Sequence, residues 1–156
     1  YFVDYNKKRL LNILENEDYD IILFSFSHHE NLLRNPKGFA YAKLINNIEL
    51  ESVVEKQTIS DNPYNDCALT GTTIFRKARD LFDSLKNELD KSQSNQTYYL
   101  ECLNNILSEK KAIVFEVDKF IPLRLPVNYQ EFVYWQEYFE KSEGHPYFKK
   151  TEEIID

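Results

Sequence analysis

The sequence predicts an α/β domain, with a mixed, mostly parallel sheet flanked by helices in three layers. Three observations carry the prediction. Short β-branched and aromatic runs alternate along the chain with segments whose apolar residues recur every three or four positions. Two of the strand-like runs are separated by little more than an Asn–Asn pair, which inserts a hairpin into that alternation. The chain has 156 residues, 42% of them hydrophobic and 15% aromatic, enough for one domain with its own core.

The elements follow in order. "DYNKKRLLNILENEDYD" places Leu10, Leu11, Ile13 and Leu14 at helical spacing, with Asp4 or Asn6 as the cap. "YDIILFSFS" is a continuous apolar run too short for a helix, hence a buried strand. "HHENLLRNPKG" reads as a loop with a Pro–x–Gly turn. "FAYAKLI" and "IELESVVEK" form the hairpin, and simple alternation sets Ile48, Leu50, Val54 and Lys56 on one face with Glu55 on the other. "ALTGTTIF" is the next strand. "RKARDLFDSLKNELD" is a helix with an apolar stripe of Ala78, Leu81, Phe82, Leu85 and Leu89. After the polar linker "KSQSNQT", the helix "YYLECLNNILSEK" turns Tyr99, Cys102, Leu103 and Ile106 inward. "KAIVFEVD" is a strand and "FIPLRLP" a proline-bounded turn. "NYQEFVYWQEYFEK" is a last helix, with Asn128 and Glu131 as a near capping box and Phe132, Trp135 and Phe139 inward. Residues 1–140 form the domain and 141–156 a tail.

Composition narrows the function classes. A net charge of −7 argues against a protein that tracks a nucleic-acid backbone, which needs a basic surface. It leaves room for a nucleotide pocket, which needs only one or two local cations. No apolar run reaches the length of a membrane span. Cys67 and Cys102 lack metal spacing and read as reduced thiols of a cytoplasmic chain. The chain opens on "YFVDYN" and contains no Met, and its first residues read as the tail of a buried strand. A fragment whose N-terminal part is missing is therefore expected, and its apolar start invites self-association, making a homo-oligomer one of its partner classes.

Most candidate chemistry reads as ordinary surface. His28, His29 and Glu30 are adjacent in an extended stretch, where neighbouring side chains diverge, so a solvated loop is expected rather than a metal site. The three glycines, Gly38, Gly71 and Gly144, form no phosphate-binding loop. The stretch "VVEKQTISDNPYNDCALTGTTIF" differs: one strand ends in Glu55–Lys56, and a second carries Thr70–Gly71 beyond a polar loop. This block resembles the sugar-phosphate nucleotidyltransferases, the NDP-sugar pyrophosphorylase family, in which a strand ending in Glu–Lys precedes a strand of the form "T-G-x-Y-x-F". "FAYAKL" looks like that family's sugar-lining strand, with Ala40 where glycine is frequent. "YYLECLNNIL" looks like its "E-x-T-D-x-N" helix, and "VFEVDKFIPLRLPVNYQEFVYW" like its closing turn and helix.

The resemblance implies a nucleotidyltransferase/Rossmann-like fold and a set of roles. Glu55 would bond the sugar hydroxyls, Lys56 the phosphate, and Gly71 would let the backbone approach the sugar. Thr70, Thr73, Ala40, Glu101 and Asn104 would line the wall, and no residue would act as a protein nucleophile. The implied partners are a nucleoside triphosphate and a sugar 1-phosphate or a similar phosphoester such as phosphocholine. Mg²⁺ is the implied cofactor of the complete protein, in surface-polysaccharide metabolism. The departures are as clear. No Gly-rich nucleotide loop is present, and the first metal carboxylate would fall just upstream of Tyr1. Pro122 and Arg124 stand where the closing turn has Asp and Gly, which leaves Asp118 as the metal candidate. A non-catalytic sugar- or phosphate-binding or regulatory domain of the same fold is the alternative. An unrelated α/β interaction module is a third reading.

Overall fold

The computed structural model describes residues 1–91, 99–146 and 148. The chain divides into two compact units, Asp4–Lys119, and Tyr1–Val3 with Phe120–Asp156. Most of the expected 141–156 tail lies outside the described residues.

The larger unit is built on one five-stranded sheet. Its strands are β2 (Ile21–Phe26), β3 (Ala40–Leu44), β4 (Leu50–Glu55), β5 (Ala68–Phe75) and β6 (Ala112–Glu116). Their spatial order is β4-β3-β5-β2-β6. Only β2 and β6 run parallel, while the β4–β3, β3–β5 and β5–β2 pairs are antiparallel. The sheet is therefore mixed, and the expectation of a mostly parallel one is corrected. The hairpin and β5 intervene in sequence between the two parallel strands, and each reverses direction against its neighbour.

β2 is an interior strand, between β5 and β6, and all six of its residues are buried. One face of the sheet presents Ile21, Leu23, Ala42, Leu50, Val53, Ala112 and Val114 to Leu103 and Ile106 of helix α4 (Tyr99–Ile106). On the other face Tyr5 meets Phe24 and Phe115 edge-on, at 5.3 and 6.2 Å between centroids. The Arg9 guanidinium of α1 (Lys7–Asn16) lies 4.9 Å from the Phe115 ring centroid. Of the two expected caps of α1, Asn6 is the one used, its side chain accepting from the Arg9 N–H at 3.0 Å. The far end of α1 is held by Arg76, which donates to the carbonyls of Leu14, Glu17 and Tyr19.

The sheet curls. The Ile48 carbonyl, just ahead of β4, accepts from the Val114 N–H of β6 at 2.9 Å, and Glu49 bridges to Ile113. Elsewhere the outer edge of β4 is met by Asn104, whose amide accepts from the Val53 N–H at 2.7 Å and donates to the Val53 carbonyl at 2.8 Å. Both devices satisfy backbone groups that an edge strand leaves open.

Several local expectations need correction. A short helix, α2 (Glu30–Arg34), lies within the expected loop, capped by the His29 ring accepting from the Asn31 N–H. In β4, Lys43 pairs with Ser52 but Leu44 with Leu50, so Glu51 is an extra residue. That bulge moves the alternation by one. Leu50 and Val53 then share the core, and Glu55 rather than Lys56 continues their face. In α3 (Ala78–Lys91), Phe82 and Leu89 are exposed, because the helix instead turns Ser84 toward α4, where its hydroxyl donates to the Cys102 carbonyl. Leu11 is exposed as well.

Two further strands, β1 (Phe2–Asp4) and β7 (Lys119–Ile121), pair as a two-stranded ribbon. Helix α5 (Pro126–Glu140) starts two residues before the expected Asn128, with proline in its first turn. Asn128 does cap the helix, but by accepting from the Leu125 N–H at 3.2 Å. Trp135 of the expected inward stripe is exposed, and Phe139 stacks on His145 at 4.2 Å.

Candidate functional site

The predicted residues gather on β3, β4, β5 and α4. Ala40 pairs with Glu55 across the β3–β4 hairpin, and Tyr41 pairs with Ala68 across β3–β5. The antiparallel sense sets the start of β3 beside the end of β4 and the start of β5, about two strand spacings (~10 Å) across, with Gly71 three residues beyond Ala68 along β5. Glu55 and Lys56 form an ion pair at 3.2 Å, with 44% and 67% of their side chains exposed. A pair this open adds little to stability. Lys56 is also bent, at φ +56°, while its N–H still donates to the Phe39 carbonyl at 3.0 Å. A left-handed backbone costs a lysine roughly 1 kcal/mol, so the lip of the hairpin is held in a conformation that its local sequence does not favour.

Gly71 sits in a second irregularity. Leu23 pairs with Thr73 and Ser25 with Leu69, so Thr70–Thr72 bulge opposite Phe24. Gly71 takes φ +95°, and a Cβ built there would meet nothing within 4 Å. Conformation demands this glycine, and the space beside it is open. Thr70 spans the bulge, its hydroxyl donating to the Phe24 carbonyl and accepting from the Thr72 N–H. Tyr99, expected to face inward, is instead exposed along part of its ring; its phenol is bonded by the Thr73 hydroxyl, and partial burial still raises its pKa despite that bond. Asn104 is engaged with Val53, and Glu101 is an exposed residue of the first turn of α4. Thr70, Thr73 and Asn104 thus have polar atoms committed to the fold, while Glu55, Lys56 and Gly71 remain at an open lip.

A second polar cluster escaped the sequence reading. Ser27 and His28 follow β2, Glu116 ends β6, and parallel pairing sets Ser25 opposite Glu116. The Ser27 hydroxyl donates to Glu116 Oε1 at 2.5 Å and lies 2.7 Å from His28 Nδ1. Ser27 and Glu116 are 89 positions apart, and only strand pairing unites them. Behind the cluster, the Cys67 thiol is pushed up to about 11 by burial, against the lowering effect of its bond to Ser25. Cys67 and Cys102 are both free thiols.

Two further features bear on chemistry. A groove of about 340 Å³ runs between α3 and α4, lined by Asp80, Asp83, Glu88 and Glu109 beside Lys110. It shares no residue with the lip, and its carboxylates disfavour a phosphate. Among the described residues, no three His, Cys, Asp or Glu side chains converge on a point where a metal ion could bind. Asp118, the sequence candidate, follows β6 and donates its N–H to the Asp4 carbonyl.

No family model matches the chain, and no curated protein matches it in sequence. Solved structures do match. A nucleoside-diphosphate-sugar pyrophosphorylase from Vibrio cholerae RC9 superposes with a TM-score of 0.56 at 16% identity, over 74% of this chain and 47% of that one. A CMP:2-keto-3-deoxy-manno-octonic acid synthetase complexed with CTP gives a TM-score of 0.54 at 12% identity, over 84% of this chain and 55% of that one. The chain thus spans about half the length of either enzyme. At these identities the likeness is one of fold: a mixed α/β sheet flanked by helices, similar to that of nucleotidyltransferases.

Proposed function

We propose that this chain is the sugar-phosphate-binding part of a nucleotidyltransferase-like protein. The observation that carries the reading is the lip itself. An exposed carboxylate and cation end β4, and the left-handed Gly71 of β5 lies across the intervening β3, in a fold like that of an NDP-sugar pyrophosphorylase. Lys56 suits a phosphate, being a compact ammonium with rotatable donors. The Glu55 carboxylate accepts hydrogen bonds from sugar hydroxyls, and Gly71 leaves its backbone open to the ring. Ala40 forms the floor between them, and Thr70, Thr73, Glu101 and Asn104 the surrounding wall.

In the complete protein a phosphate oxygen of the sugar 1-phosphate attacks the α-phosphorus of a nucleoside triphosphate. The bond from that phosphorus to the α,β-bridging oxygen breaks, and pyrophosphate leaves. A phosphocholine-like phosphoester would react in the same way. Mg²⁺ would neutralise the triphosphate charge. Asp118 belongs to no group of three or more His, Cys, Asp or Glu side chains that could hold a metal among the described residues, so no step is assigned to the ion in this chain. The setting that fits is cytoplasmic synthesis of activated sugars. A second reading, a binding or regulatory domain without catalysis, is favoured by Pro122 and Arg124 in the segment before α5.

Calorimetric titration with glucose 1-phosphate and a panel of related phosphoesters tests the reading. Saturable binding that Lys56→Ala weakens by about tenfold or more, the worth of a charge-assisted bond, supports it. Binding that is indifferent to Lys56 returns the lip to an ordinary hairpin end. A pyrophosphate-release assay with Mg²⁺, nucleoside triphosphates and sugar 1-phosphates separates the two readings. The chain alone is expected to give no turnover.

A further inference from the structure

Ser27, His28 and Glu116 form a chain of hydrogen bonds at the carboxyl ends of β2 and β6, the parallel pair of the sheet. In open α/β sheets this is where ligands bind, because the strands end together and their loops diverge. The hydrogen-bond directions constrain the chemistry. The Ser27 hydroxyl has one proton, and it goes to the Glu116 carboxylate. Nδ1 of His28, 2.7 Å from the same oxygen, must then be the donor. In the neutral imidazole, Nε2 is left as an acceptor. The other Glu116 oxygen is an acceptor as well. Neither atom has a hydrogen-bond partner among the described residues.

The placement of His28 is costly. Its φ of +53° lies in the left-handed region, unusual for a non-glycine residue. It is held there by its N–H, which donates to the Tyr64 carbonyl at 2.8 Å, and by the Tyr64 ring, edge-on at 5.3 Å between centroids. A solvated loop would have no need of that conformation. Here it presents an imidazole of fixed tautomer beside a carboxylate, with the Tyr64 ring as an aromatic neighbour.

We infer that Ser27, His28 and Glu116 form a second binding site that takes a neutral polyhydroxylated ligand of the sugar class. His28 Nε2 and the free Glu116 oxygen accept from its hydroxyls. Two acceptors with a net negative charge select hydroxyl donors and repel phosphate, the reverse of the Lys56 lip. The site uses none of the lip residues and does not depend on their assignment.

The test is long-range ¹H–¹⁵N NMR of the histidine rings, titrated with methyl α-D-glucoside and, separately, glucose 1-phosphate. The free protein should show His28 with its proton on Nδ1. The glucoside should shift the Nε2 resonance saturably, and His29 and His145 serve as internal controls. His28→Asn keeps a residue that tolerates left-handed φ, but its shorter amide stops short of the Nε2 position and removes the acceptor there, so it should weaken glucoside affinity about fivefold to tenfold. Glu55→Gln should leave that affinity unchanged, which separates this inference from the phosphate lip. An unmoved His28 signal, an Nε2–H tautomer in the free protein, or glucoside binding indifferent to His28→Asn would overturn it.

Discussion

All six residues of β2 are buried, whereas Lys56 at the end of β4 exposes 67% of its side chain and takes a left-handed φ. Both strands belong to one sheet. In β2 every residue serves packing, and its flanking partners, the rings of Tyr5 and Phe115 on one face and the Leu103 side of α4 on the other, fill the space with apolar atoms. At the lip the fold tolerates a bent lysine, a left-handed glycine and a solvent-facing ion pair, none of which returns comparable stability. A conformation that costs free energy without an internal return points to something outside the chain.

That contrast can be broken by experiment, most forcefully at the core. Leu103 is fully buried against the sheet. Leu103→Ala should lower the unfolding free energy by about 2–5 kcal/mol in a urea titration. A loss no larger than that of a surface substitution would mean that the α4 face is not the core.

Asn104 sharpens the comparison because its amide closes the Val53 backbone, while the proposed function sets it in the wall of the sugar site. Asn104→Ala leaves a donor and an acceptor of β4 without their side-chain partner. It should cost about 1–3 kcal/mol by the same titration, with affinity for glucose 1-phosphate reduced only through a loosened β4. Unchanged stability with lost affinity would move Asn104 from the fold to the site.

Lys56→Gly should separate the two economies directly. Glycine relieves the left-handed backbone, so stability should rise by about 1 kcal/mol while glucose 1-phosphate affinity falls. A fall in both would make Lys56 a structural residue and erase its difference from β2.

The smallest effect concerns Cys67. Its thiol is raised from 9.0 to about 11, chiefly by burial. The folded state therefore holds this proton more tightly than the unfolded state. Below pH 9 both states are protonated, and the stability referenced to that proton is fully present. As pH rises from 9 toward 11 the unfolded thiol ionises first, so the unfolding free energy declines across that window. Cys67→Ala should flatten this decline in denaturation measured from pH 8 to 11.

Much of the fold was legible from local pattern. The apolar run at Ile21–Phe26, the Asn6 cap and the Asn–Asn hairpin are signals carried by adjacent residues, and each produced the expected element. The α2 helix was missed because five residues between polar and proline-containing stretches give too little periodicity to register. The stripe on α3 was misjudged because Phe82 and Leu89 satisfy helical spacing whether or not a neighbour covers them. At the site, Glu55, Lys56 and Gly71 were legible as residue types in order, but their bent backbones were not. The Glu51 bulge, which decides the face that Glu55 takes, leaves no mark in the residues around it.

The sequence by itself determined which segments are strands and helices, and which block carries the paired charge and the glycine, because hydrophobic periodicity and turn chemistry act over a few residues. Tertiary structure alone decided strand direction outside the β3–β4 hairpin, the two bulges and the union of Ser27 with Glu116. Those depend on which distant backbone groups pair. Any strand can satisfy its hydrogen bonds with a neighbour running in either direction, so the choice falls to the packing of the whole sheet.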